Sequence, residues 1–182
     1  MALFMCNTSN IHEMKFGRPQ SVILAGAMPN GVIGELGKVQ DGREGDHLHS
    51  AAAAAGASVI GKFIVVAPEI NAQQYRTIDG QIGKFVLEAG EAYSAYMLQK
   101  HDRIEYSDAY FEELPGKGDK VNPKAKDAKG AVFAKGGAAL EVVSVRELWL
   151  PIVLQAPDAQ GKGNAAKLMP ESCKMVKLEV IA

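Results

Sequence analysis

Cysteine is scarce in this chain: Cys6 and Cys173 are the only two, at opposite ends. They form no C-x-x-C pair and too few sites for a disulfide framework, so two unpaired thiols are expected. Long hydrophobic runs are missing as well. The longest apolar stretches, residues 63–67 and 148–154, fall far short of the roughly 18 to 20 residues that span a bilayer as a helix. The opening MALFMCNTSNIHEMKFGRPQ has neither a basic start nor an apolar centre of signal-peptide length. A soluble protein, made and folded in a cytoplasm, is the expectation. Charge of one sign is also lacking. With 20 basic and 21 acidic residues the formal net charge is −1, which provides no overall field to gather nucleic acid or coat an anionic membrane. Nucleic acid and membrane are therefore not expected as partners.

Several reactive signatures are absent too. No G-x-S-x-G elbow occurs. Neither GxGxxG nor the G-x-x-x-x-G-K-S/T phosphate cradle is present, and GKGDK and GGAAL lack the strand-to-helix context.

What the chain does have is turn chemistry. Its 182 residues suit one domain, and 19 glycines with 8 prolines imply many turns between short strands. Residues 1–20 show neither helical nor strand period and read as an N-terminal arm. Ser21 to Gly26 is a strand, Pro29-Asn30-Gly31 a turn, and Val32 to Leu36 a strand expected to pair back on it. Residues 40–58 read as a loop, with a short helical run at Ala51 to Ala55. Val59 to Ala67 is rich in β-branched residues and reads as a buried strand. Asn71 to Ile78 suggests a short helix or ordered loop.

Strands follow at Ile82 to Leu87, Ala92 to Leu98 and Arg103 to Tyr106. In the last, Ile104 and Tyr106 share a dry face while Arg103 and Glu105 share a wet one. Residues 113–130 are full of lysine, glycine and proline and read as an exposed loop. Strands resume at Ala131 to Ala134 and Leu140 to Leu154, where Pro151 signals an edge or a break. Residues 156–170 read as a third exposed loop. In the closing segment Val176, Leu178 and Val180 alternate with Lys177 and Glu179. This pattern predicts a mainly β protein: a β-barrel-like or sandwich domain of short antiparallel strands over residues 21–182, with long loops and little helix.

Some side chains invite a chemical reading. His47 and His49, at i and i+2, would share one side of a strand and so suit a zinc, copper or iron site of cupin type. Positions 51–55, where a glutamate ligand would be needed, are all alanine, and His12, Asp46 or His101 would have to complete the set. His101-Asp102 falls at a turn where the two side chains diverge. Glu112-Glu113 reads as surface charge, and the six lysines from Lys117 to Lys135 as a solvated loop. No catalytic, cofactor-binding or metal residue is assigned, and no enzyme activity or cofactor is expected. Of the aromatics Tyr93, Tyr96, Tyr106, Tyr110 and Phe111, Tyr106 is expected in the core and some of the others at a rim or interface.

The order of turns and apolar positions in the middle of the chain carries a resemblance. It runs from Asn30-Gly31 with its following valine through Val65-Val66-Ala67-Pro68-Glu69-Ile70, Tyr75, Phe85 and Glu88-Ala89-Gly90-Glu91. It continues with Tyr96-Met97-Leu98, Asp102-Arg103-Ile104 and the loop Gly116-Lys117-Gly118-Asp119-Lys120-Val121. Over residues 28–145 this resembles small structural proteins of tailed bacteriophages, encoded beside the major capsid protein and described as head decoration or cement proteins. The resemblance implies a non-enzymatic virion structural protein that binds the major capsid protein lattice and self-associates or meets neighbouring virion proteins. A tail, connector or capsid-lining part is the second expectation, and a cupin-like metal enzyme using His47 and His49 is the alternative of another class.

Overall fold

The computed structural model describes residues 5–16, 19–39, 46–51, 58–67, 86–124, 131–157 and 164–182; for residues 15–16, 46–51, 150–157 and 164–171 it describes backbone alone. The chain is mainly β, as the turn-rich composition predicts. Its elements are β1 (Cys6–Asn10), α1 (His12–Phe16), β2 (Gln20–Ile23), β3 (Met28–Pro29), β4 (Val32–Val39), β5 (Asp46–Ala51) and β6 (Phe63–Val66). Next come β7 (Val86–Leu87), β8 (Ala92–Met97), β9 (Arg103–Ser107), a 3-10 turn (Asp108–Tyr110), β10 (Lys120–Pro123) and β11 (Phe133–Lys135), then β12 (Leu140–Pro157) and β13 (Asn164–Val180).

Two curled sheets share these strands. One closes into a five-stranded barrel in the order β2-β5-β4-β6-β8, and the other is a six-stranded sheet in the order β1-β9-β13-β12-β10-β11; β3 and β7 form a separate pair. All pairings among the described strands are antiparallel except β2 with β5. The alternation of side chains across a strand explains how barrel and sheet join. Val32 and Val65 point into the barrel with Val22, Leu24, Leu87 and Ala95. Their neighbours Ile33 and Ile64 point the other way, into a second core with Ile104, Tyr106, Tyr110, Phe133, Val176 and Leu178 of the sheet. β6 and the start of β4 at Val32 and Ile33 thus bury side chains on both faces, which is why these stretches read as apolar without alternation.

The seam is fixed by hydrogen bonds at the Asn30-Gly31 turn. Tyr106 donates its hydroxyl to the Gly31 carbonyl at 2.7 Å, and Tyr110 donates to the Asn30 carbonyl at 2.5 Å, both buried. The Asn30 amide group clasps the backbone of Ala67, accepting from its N–H and donating to its carbonyl, each at 3.0 Å. Gly31 has φ +80°, and a Cβ there would run into Cys6 and come within 3.1 Å of the Tyr106 ring. Only glycine tolerates both conditions.

Several segments differ from the sequence expectation. Residues 5–16 do not stand off as an arm: β1 pairs with β9, and Ile11 is fully buried. CNTSN has no apolar alternation to announce a strand; it is held by its partners. Ser107 Oγ accepts the Met5 N–H at 3.0 Å, and the buried Asp102 carboxylate accepts the N–H groups of His12 at 2.8 Å and Gln99 at 2.7 Å. β4 does not return to β2 but pairs with β5 and β6. Within the expected loop at 40–58, Asp46–Ala51 is β5; within 113–130, Lys120–Pro123 is β10. Within the expected loop at 156–170 the described residues are strand: 156–157 end β12, 164–170 begin β13, and β12 passes straight through Pro151. The readings at Ala52 to Ala55 and Asn71 to Ile78 lie outside the described residues.

Candidate interaction surface

β12 and β13 outrun the sheet they belong to. Near their body end β13 pairs with β9 over Met175–Glu179, and β12 pairs with β10 at Leu140 and Glu141. From Glu147↔Lys174 to Pro157↔Asn164 the ladder runs for eleven rungs with no third strand among the described residues. At roughly 3.4 Å per residue this two-stranded ribbon is about 37 Å long. One face of its base is covered, where Met5 and Leu148 pack on Cys173 and Met175. Beside them Trp149, the chain's single tryptophan, is 62% exposed.

The prolines that suggested an interruption have a definite place in this ladder. Val180 donates its N–H to the Asp102 carbonyl and accepts from the His101 N–H, both at 2.9 Å, so it turns its polar backbone groups away from β12. Every second residue of an antiparallel strand does the same. Pro170 lies ten residues earlier in β13, and the only register shift in the hairpin is on β12, between Val142 and Ser144. Pro170 therefore faces outward, and so does Pro151 directly opposite it. Neither removes a ladder hydrogen bond. Both remove an N–H from the ribbon's free edges at one level, where an incoming strand would need it.

The base is set by charge. Glu105 on β9 accepts from Arg146 at 2.7 Å and lies 3.5 Å from Lys177, with the Asn7 amide at 3.5 Å. Burial pushes the Glu105 carboxyl up, but the Arg146 hydrogen bond and the charges of Arg146 and Lys177 outweigh it and hold it below the ordinary range. Two rungs on, Glu179 accepts from His101 at 2.9 Å and Arg103 at 2.8 Å, and these two partners likewise lower its carboxyl. A cleft of about 280 Å³ beside it is lined by Lys117, Gly118, Glu141, Val142, Glu179 and Ile181.

The residues weighed for chemistry separate in space. His101, at φ +70°, points to Glu179 in solvent, while Asp102 is buried under the first turn of α1. Glu112 pairs with Lys124 at 3.0 Å, and Lys135 with Asp119 at 3.0 Å, so part of the lysine tract is neutralised locally. Asp46, His47 and His49 lie on β5, where only backbone is described. Among the described residues no three His, Cys, Asp or Glu side chains gather as metal ligands, and no helix is long and apolar enough to cross a membrane. Tyr106, Tyr110 and Phe111 belong to the core with Phe133, the Tyr106 and Phe133 rings 4.8 Å apart; Tyr93 and Tyr96 are half-buried against the two cores.

Sequence reading missed the ribbon, because a proline inside LWLPIVL is a strand-breaking signal unless the register is known. The available clue was the second proline, Pro170, in a segment that continues into the clear alternation at Val176 to Val180. No protein-family profile, curated protein or solved structure matches the chain. Fold and surface define it as a barrel-and-sheet β protein with a long two-stranded hairpin.

Proposed function

We propose that this chain is a non-enzymatic assembly protein, a capsid decoration or stabilising protein of a tailed bacteriophage that binds the lattice of the major capsid protein. The observation that carries the reading is the eleven-rung ribbon with its exposed Trp149. A two-stranded ribbon alone is marginal in water. One this long, with no third strand paired to it among the described residues, is suited to make contacts with another subunit. The proline pair fits the same use, since it withholds an N–H from each edge and so keeps the edges from recruiting strands at random. On a repeated lattice modest contacts multiply when the bound protein is itself oligomeric.

The test is co-sedimentation with empty shells assembled from the major capsid protein encoded in the same genome. Saturable binding, and a rise in the shells' thermal stability on binding, are expected. Absence of binding to both unexpanded and expanded shells would remove the decoration role.

A further inference from the structure

We infer that two copies of this chain exchange their β12–β13 ribbons about a two-fold axis, each ribbon lying along the partner. This rests on the reading of the ribbon as an inter-subunit element and names its occupant. The first ground is size. Eleven rungs are twenty-two residues, and a stable specific interface uses about 20 to 30 residues on each side. Reciprocal exchange places one ribbon's worth on each side, whereas a single ribbon on an unrelated surface would be matched only if that surface were shaped for it.

The second ground is charge. The eleven rungs contain Lys167 and Lys174 against Glu147 and Glu171. Both signs occur in equal number, and Glu147 stands directly opposite Lys174. A two-fold interface is formed by one patch meeting itself, so it needs this balance; a patch of one sign would repel its own copy. The rest of the ribbon is largely apolar, with Leu148, Leu150, Ile152, Val153 and Leu154 on one strand. The third ground is geometry. Pro151 and Pro170 bar continuous edge-to-edge strand addition, which leaves the ribbon faces for contact, and the exposed Trp149 marks such a face at the base. When two ribbons run antiparallel, the tip of one reaches the base of the other.

Because the chain has one tryptophan, its emission reports on this contact directly. Light scattering and sedimentation of the full chain over a dilution series are expected to show a dimer that dissociates to monomer. Trp149 emission should shift to the red as it does so. Trp149→Lys should weaken the dimer by at least about tenfold, as expected for an aromatic anchor, and the variant's fold is checked by near-ultraviolet circular dichroism from its buried tyrosines. A second variant, with residues 147–174 replaced by an Asn-Gly turn, should be a folded monomer. A monomer at every concentration, a trimer or larger ring, or a truncated variant that still dimerises would each overturn the exchange. A monomer that still saturates capsid shells overturns this inference alone, and a dimer that ignores shells overturns only the decoration role.

Discussion

At the scale of single residues, the seam between barrel and sheet depends on a few atoms. Two buried tyrosine hydroxyls reach successive carbonyls of one turn, and removing either leaves a buried acceptor without its donor. Tyr106→Phe and Tyr110→Phe should each cost about 1 to 3 kcal/mol in urea unfolding. Because both act on the Asn30-Gly31 turn, the double variant should cost less than the two losses added. Gly31→Ala should cost more than either, through the positive φ together with the collision with Cys6, and Cys6→Ala added to it should recover only part, since φ is unchanged. A Gly31→Ala loss within about 0.5 kcal/mol of zero would show that the turn can move. Tyr106 was readable from Ile104 and its own alternation. Tyr110 and Phe111 were not, because they follow β9 on a 3-10 turn whose direction no strand period announces.

At the scale of elements, the sheet's outer face is organised by carboxylates that bridge strands. Glu105 ties β9 to β12 and β13, and its folded carboxyl lies below the ordinary value. A group lowered in the folded state contributes stability that is complete above its unfolded value and is lost as pH falls through the folded one. Stability should therefore decline on acidification starting from the ordinary glutamate range, about pH 4 to 5, with Glu179 contributing in the same sense. Glu105→Gln should be less stable than wild type at pH 7, by on the order of 1 kcal/mol, yet show a shallower acid limb. Parallel acid limbs in thermal melts would mean that Glu105 does not carry this dependence.

Element boundaries show where sequence legibility stops. β9 and the last third of β13 were plain, since each has one dry and one wet face. β1 was hidden because its residues are polar and its order comes from pairing with β9 and from Ser107 and Asp102, which hold Met5 and His12 on either side of it from nearly a hundred residues away. β5, β10 and the outer half of β13 were hidden by composition that suits a loop equally well. In the ribbon, the outward placement of both prolines becomes visible only with the register. Replacing them by Pro151→Thr and Pro170→Thr restores an N–H at each free edge. That double variant should aggregate faster at equal concentration, measured by turbidity and thioflavin binding, while its far-ultraviolet circular dichroism stays that of a β protein. Unchanged aggregation would mean that the edges are covered by something other than the missing donors.

For the molecule as a whole, barrel and sheet are joined by one core rather than by a linker. Ile33 and Ile64 leave the barrel wall to pack with Ile104, Tyr106, Val176 and Leu178, so neither part can open without exposing apolar surface of the other. At roughly 25 cal/mol per Å² of such surface, separating them is strongly unfavourable. The ribbon stands in a different relation, since beyond Trp149 its backbone pairs only with itself among the described residues. Melting of the whole chain should show a single transition for the body, with calorimetric and van't Hoff enthalpies equal. Replacing residues 147–174 by a short turn should leave that transition within a few degrees of its original midpoint. Tyr106→Phe, far smaller as a change, should move it further. Two separate body transitions would show that barrel and sheet fold independently. A collapse of the body on ribbon removal would show that the hairpin holds its own subunit together rather than serving contacts with another.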